Sequence, residues 1–244
     1  MKVLITGDSH AGTLQRGRKL LVSKGEWPEQ VDLMIQPFGG GHIFPTPFFI
    51  DKGDHAEICN KDFRKQFKRF PPETMANSDV IYGLSGPLHT ARIRRSRAWS
   101  EFVPAQFAVA EAPVSNALLN KVILDDCQYL LKFIDIILRT QKKIFVVEAP
   151  RPFKHDSALT SIRPEVFSYF DNYYRSLIKQ ELKLRNVPVI AVGPECYDED
   201  GFMLECYRHP MEDDMHHGNA EFGEVMMRKV LEFLLEQQFP NNPE

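Results

Sequence analysis

Two short stretches at opposite ends of the chain hold residue types that can do nucleophilic chemistry together. Gly7-Asp8-Ser9-His10 follows an apolar run near the start, and Asp214-Met215-His216-His217-Gly218-Asn219 precedes the last amphipathic segment. A serine hydroxyl is a weak nucleophile until a base takes its proton. A histidine can be that base, and a nearby carboxylate orients its imidazole and stabilises the imidazolium. Asp214 and His217 stand three residues apart at the entrance of a helix with Asn219 or Gly218 as its N-cap, so both can turn toward one neighbour. Asp213 with His216 offers a second register of the same kind. Each stretch alone also has a plainer reading, a strand-to-helix cap at Ser9 and a solvated, capped loop around the histidines.

Metal chemistry is the competing reading. Asp8-x-His10 after a first strand resembles the opening of calcineurin-like metallophosphoesterases, and Gly53-Asp54-His55-Ala56-Glu57 approximates their Gly-Asp-x-x-Asp motif. Their Gly-Asn-His and Gly-His-x-His motifs are missing: Gly41-His42 lacks the second histidine, and Ala220 follows Gly218-Asn219. A two-metal site needs more ligands than remain. A zinc cluster of Cys206, His209, His216 and His217 matches no common structural zinc spacing. The expectation is no metal and no cofactor.

The elements that must position these residues are legible as alternating strands and helices. Val3–Thr6, Val31–Ile35, Val80–Leu84, Ile144–Val147 and Val187–Val192 are short apolar runs, as strands buried on both faces of a parallel sheet read. Helical spacing joins Leu119, Val122, Leu130, Phe133 and Ile137, with Asp126 as the one polar interruption. It joins Phe167, Phe170, Tyr174, Leu177 and Leu184, and again Phe222, Met226, Val230 and Phe233. This alternation predicts an α/β domain with a mostly parallel sheet, in which ligands bind at the carboxyl ends of the strands. Those ends are rich in Gly, Pro and polar residues: 7–12, 36–42, 85–89, 148–151 and 193–196. Residues 43–78 read as an irregular insertion over the sheet's edge within a single domain at 1–238, and 239–244 as a frayed tail.

Composition narrows the class. With 244 residues, 43% of them hydrophobic, the chain can bury a full core, and a net charge of −3 argues against broad nucleic-acid affinity. No run approaches the roughly 18–20 apolar residues of a membrane span. Val3-Leu4-Ile5 is too short for a signal-peptide core, so a cytoplasmic location is expected. Cys59, Cys127, Cys196 and Cys206 read as reduced thiols, with Cys196–Cys206 the one pairing left open. "HTARIRRSRAW" reads as a solvated basic face that could also hold an anion, with Arg92 closest to the strand-three loop. "GLSGP" fails the Gly-x-Ser-x-Gly elbow of α/β-hydrolases because Pro87 takes the last position.

Taken together, Gly7-Asp8-Ser9 and the Asp214–Asn219 block resemble the first and last blocks of the SGNH (GDSL-type) hydrolases, in the same chain order. The resemblance implies a three-layer α/β/α sandwich with a five-stranded, flavodoxin-like sheet. It implies an esterase or deacetylase acting on a small-molecule or glycan acyl ester, with Ser9 as nucleophile, His217 as base and Asp214 as its partner. Acyl transfer and a non-catalytic binding module are the alternatives on the same fold. The family's second block supplies a glycine N–H to the oxyanion hole, which favours Gly40 of Gly39-Gly40-Gly41 beside the Ser9 N–H. The third block, Gly-x-Asn-Asp, is replaced by Gly83-Leu84-Ser85-Gly86-Pro87-Leu88-His89, which leaves Ser85 where the oxyanion-binding asparagine would stand. His10 replaces the leucine of the first block, and His10, His89 and Arg92 are the candidate substrate-binding side chains.

Overall fold

The structure, a computed structural model, describes residues 1–75 and 79–236. The expected tail at 239–244 and the last residues of the expected insertion, 76–78, lie outside them. Strands β1 (Lys2–Thr6), β2 (Asp32–Ile35), β3 (Val80–Ser85), β4 (Ile144–Val147) and β5 (Val189–Ile190) form one sheet in the order β5-β4-β3-β1-β2. Every neighbouring pair is parallel. This is the doubly wound order 2-1-3-4-5, whose direction of winding reverses between β1 and β3 and opens a crevice at their carboxyl ends. The five-stranded α/β/α expectation holds.

Alternation along the strands divides the core in two. Val3 and Ile5 of β1, with Phe145 and Val147 of β4, pack against α1 (Ala11–Ser23) and α5 (Ala220–Leu235). Leu4, Tyr82, Leu84, Ile144 and Val146 face the opposite layer, α3 (Asn116–Arg139) and α4 (Pro164–Leu184). Each large side chain buried this way stabilises the fold by about 1.5–3 kcal/mol. Two expectations need trimming. The fifth strand is two residues long rather than six, because Pro188 has no N–H to donate and the Val192 amide turns to the Glu148 carboxylate at 2.7 Å. Leu184 ends its helix exposed and is not a core position.

Residues 43–75 are more regular than their composition suggests. Phe49–Asp51, Ala56–Ile58 and Arg69–Phe70 form a small antiparallel sheet. Phe48 and Phe70 of this segment, with Phe38 before it, join the α3 core, their rings centred 5.5, 5.1 and 5.6 Å from Phe133.

The basic run departs from its sequence reading. It contains a short helix, α2 (Ala91–Arg94), whose arginines point inward. Arg92 clasps Asp126 of α3 at 2.8 Å, and Arg94, 1% exposed, lies 3.6 Å from Asp171 of α4. The polar interruption of the α3 pattern and the basic run are two halves of one buried ion pair. Arg92 is therefore a core element and not a substrate-binding group, because its guanidinium is bound to Asp126 and Tyr174. Among the described residues no helix is long and apolar enough to cross a membrane. All four cysteines are free, so Cys196 and Cys206 are not bridged.

Candidate active site

Close approach of α1 and α5 brings the chain's two ends together. A Cβ on Gly17 would lie 2.0 Å from the Gly223 carbonyl carbon, and one on Gly223 would lie 2.1 Å from the Thr13 oxygen, so only glycines permit this crossing. The Gly218 carbonyl accepts hydrogen bonds from Thr13 Oγ1 and Arg16 Nη2, each at 3.1 Å. Asn219 caps α5 by accepting the Phe222 amide at 3.0 Å. Helix α1 begins just after Ser9, and α5 begins just after His217. Their crossing fixes the distance between those two residues.

That distance is short. Ser9 Oγ lies 2.7 Å from His217 Nε2, and the serine is exposed to solvent. His217 Nδ1 meets Asp214 Oδ1 and Oδ2 at 3.0 and 2.9 Å. Asp214 Oδ1 also accepts the backbone amides of His216 and His217 at 3.3 and 3.0 Å. Burial works to raise the Asp214 pKa, but those amides and the imidazole outweigh it and hold the carboxyl below its ordinary value. An ionised Asp214 makes Nδ1 the protonated nitrogen of a neutral ring, which leaves the Nε2 lone pair facing the serine hydroxyl. The Asp213–His216 register is not formed: the serine's partner is His217, and Asp213 is exposed.

Beneath Ser9 lies a second polar layer. Asp8 is fully buried and accepts hydrogen bonds from His89 Nδ1 at 2.6 Å, Ser85 Oγ at 3.2 Å and the His10 amide at 3.1 Å. Burial opposes its ionisation, yet His10, His89 and Arg92 prevail and hold it well below the carboxylate range. Ser85 is also buried and donates its one hydroxyl proton to Asp8, so it is not free to bind an oxyanion. The expected Ser85 role is thus corrected, and the glycine-rich loop packs on the buried Asp8–His89 pair. A Cβ on Gly41 would sit 3.2 Å from both Asp8 Oδ2 and His89 Nδ1. Among the described residues neither the Ser9 nor the Gly40 amide donates a hydrogen bond within the protein.

The remaining histidines gather behind the serine. The ring centre of His10 is 4.2 Å from that of His89 and 4.7 Å from that of His217, and His216 stacks on His89 at 5.4 Å. Burial depresses the pKa of His10 and His89 and pushes His216 down to about 3, so the rings are neutral near pH 7. Among the described residues two groups have metal-competent spacing, His10–His89–His216 and Asp214–His216–His217. Neither contains Cys206 or His209, so the four-ligand zinc cluster is not assembled. Asp54 and His55 pair with each other at 2.7 Å and belong to neither group, which leaves the metallophosphoesterase reading without its second motif. The gathering of His10, His89, His216 and His217 was not anticipated, although each lies in a segment singled out for another reason.

No family model matches the chain. No curated protein matches it either. Solved structures do share its fold. A GDSL-like lipase from Bacteroides thetaiotaomicron aligns with a TM-score of 0.50 at 10% identity, over 97% of this chain and 88% of that one. An acetyl xylan esterase aligns with a TM-score of 0.50 at 15% identity, over 95% of this chain and 98% of the other. At such identities the likeness is one of fold.

Proposed function

We propose that the protein is a serine hydrolase that cleaves acyl esters. The observation that carries this reading is the hydrogen-bonded chain from Asp214 through His217 to the exposed hydroxyl of Ser9, 2.7 Å from the imidazole. His217 Nε2 takes the Ser9 proton as Oγ attacks the ester carbonyl, and Asp214 stabilises the imidazolium that forms. The carbonyl π electrons move to oxygen, where the Ser9 and Gly40 amides donate to the developing charge. Collapse of the tetrahedral intermediate breaks the bond to the alkoxy group, which leaves with the proton from His217. Water then repeats the sequence on the acyl-serine, with His217 again as base, and releases the acid and free Ser9.

A cavity apart from Ser9 bears on the class of carrier we favour. A cavity of about 760 Å³ is lined by Phe107, Lys154, Tyr169, Asn172, Asp200 and Phe202. Its lining includes none of Ser9, Asp214 and His217, so it would take a distal part of the carrier and not the acyl group. Aromatic faces beside hydrogen-bonding groups suit a sugar or a similar polar carrier, and an acetylated glycan is our favoured class. The use of this fold by an acetyl xylan esterase is compatible with that choice.

A fluorophosphonate probe and p-nitrophenyl acetate test the proposal. The expected result is labelling and acetate release in the wild type and neither in Ser9→Ala. An unlabelled, inactive wild type would support the non-catalytic binding module instead, and transfer to an added sugar in preference to water would support acyl transfer.

A further inference from the structure

We infer that His10, His89 and His216 bind a divalent transition-metal ion of the zinc type beside Ser9. Three separate segments contribute, the turn after β1, the loop after β3 and the loop before α5, and one nitrogen from each lies within 4.8 Å of the others. Tetrahedral zinc–nitrogen bonds place ligand atoms about 3.4 Å apart, so binding would draw the three nitrogens closer together. His10 and His89 are 3% and 6% exposed. Among the described residues both ring nitrogens of His10, Nε2 of His89 and Nδ1 of His216 are buried with no hydrogen-bond partner. Buried polar atoms are almost always paired, so an unpaired nitrogen on each of three clustered rings points to a ligand. Edge-to-face packing of His10 on His89 and His216, with His216 stacked on His89, accounts for where the rings sit but gives these nitrogens no hydrogen-bond partner.

Asp8 supplies the orientation such a site requires. Its ionised carboxylate accepts from His89 Nδ1–H at 2.6 Å, which fixes the tautomer and leaves the Nε2 lone pair unused. A carboxylate behind a ligating histidine is the usual support of an imidazole–metal bond. The nearby cations Arg92 and Arg94 are each matched by a carboxylate, Asp126 and Asp171, so the local charge is not prohibitive. Three neutral imidazoles suit zinc and leave its fourth position to water. The site uses none of Ser9, Asp214 and His217 and does not depend on the proposed hydrolysis.

The test is calorimetric titration of chelator-stripped full-length protein with zinc chloride, with the metal content of dialysed protein measured in parallel. One equivalent is expected for the wild type. His216→Ala, on a partly exposed loop, and His89→Gln should each lose tenfold or more in affinity, with circular dichroism checking the fold. His217→Ala should still bind zinc while losing ester hydrolysis, which separates this site from the Asp214–His216–His217 grouping and from the catalytic reading. Failure of the stripped wild type to take up zinc overturns the inference. So does undiminished binding in a folded His216→Ala, or loss of zinc in a folded His217→Ala.

Discussion

Two acid–base constellations lie near the carboxyl end of the sheet, and their contrast separates reactivity from stability. In the first, Asp214, His217 and Ser9 form a single file of hydrogen bonds that ends at an exposed hydroxyl. In the second, Arg175 meets Glu148 at 3.0 Å and Asp171 at 2.8 Å, with Lys179 on Glu148 at 2.8 Å. Arg175 also donates to the carbonyls of Ala149 and Pro150, and is 2% exposed. Both have short contacts and displaced pKa values. The first alone leaves a lone pair and a hydroxyl where an outside molecule can reach them. Saturated charge holds segments together, and an unsaturated file can do chemistry.

The largest expected effect sharpens that contrast. Ser9→Ala and His217→Ala should each remove ester hydrolysis almost entirely, by a factor of about 10⁴ or more in kcat, and Asp214→Asn should lower it by about 10⁴. None of the three should move the unfolding midpoint far, since each group is exposed or only partly buried. Steady-state kinetics with p-nitrophenyl acetate beside denaturant titrations check both halves. A large stability loss in Ser9→Ala would blur the distinction between the two constellations.

Arg175 should show the reverse. Removing it takes the nearest counter-charge from Asp171, leaving Arg94 at 3.6 Å and Arg151 at 3.8 Å, and leaves Glu148 with Lys179. Arg175→Met is therefore expected to cost about 3–5 kcal/mol in stability. Fluorophosphonate labelling per folded molecule should stay close to wild type. The pH dependence follows with a definite sign. Burial works to raise the carboxyl pKa values of Asp171 and Glu148, and Arg175 outweighs it, so both lie below their ordinary 3.8 and 4.5. Their contribution is complete above those ordinary values and is lost as pH falls through the lower, folded ones. In Arg175→Met the opposition to burial falls to Lys179 and the Val192 amide at Glu148 and to Arg94 and Thr90 at Asp171, so the acid limb of the melting temperature should move to higher pH.

The glycine crossing links the two behaviours. Gly223→Ala places a methyl group against the Thr13 carbonyl, an overpacking expected to cost about 1–3 kcal/mol. Because α1 and α5 also hold Ser9 against His217, kcat should fall in the same variant while Asp214 still holds His217. Denaturant titration and kinetics on one preparation check the pairing of the effects. A folded Gly223→Ala with wild-type kcat would show that the loops alone set the Ser9–His217 distance.

Most of the frame was legible because apolar runs report burial directly. The five strands, the three later helices and the Asp214–His217 spacing all follow from local pattern. What escaped is pairing between distant polar groups. Arg92 and Arg94 read as solvated because a basic run looks the same whether or not acids await it in the fold. Asp126 was visible only as an interruption, and its meaning required α2 to pack on α3. Ser85 occupies the expected position, but its hydroxyl direction depends on buried Asp8, seventy-seven residues away in sequence. The histidine cluster escaped for the same reason, since His10, His89 and His216 share no local spacing. Lone-pair directions are a tertiary property.

The smallest expected effect tests how far the Asp214–His217–Ser9 file depends on its supporting helix. Asn219 accepts the Phe222 amide at 3.0 Å, and its side-chain amide donates to the Cys206 carbonyl at 2.8 Å. Asn219→Ala removes the cap and the tie to the preceding loop, a loss of about 1 kcal/mol in stability. Asp214 and His217 sit in the loop this tie restrains, but they also hold one another through the His217 amide and ring. The cap acts on the helix, and the carboxylate acts on the base. Asn219→Ala should therefore lower the unfolding midpoint while changing kcat less than threefold, a difference that parallel melting and kinetic measurements resolve. A tenfold fall in kcat at unchanged KM would instead make Asn219 a positioning residue for His217, and would extend the reactive constellation into the first turn of α5.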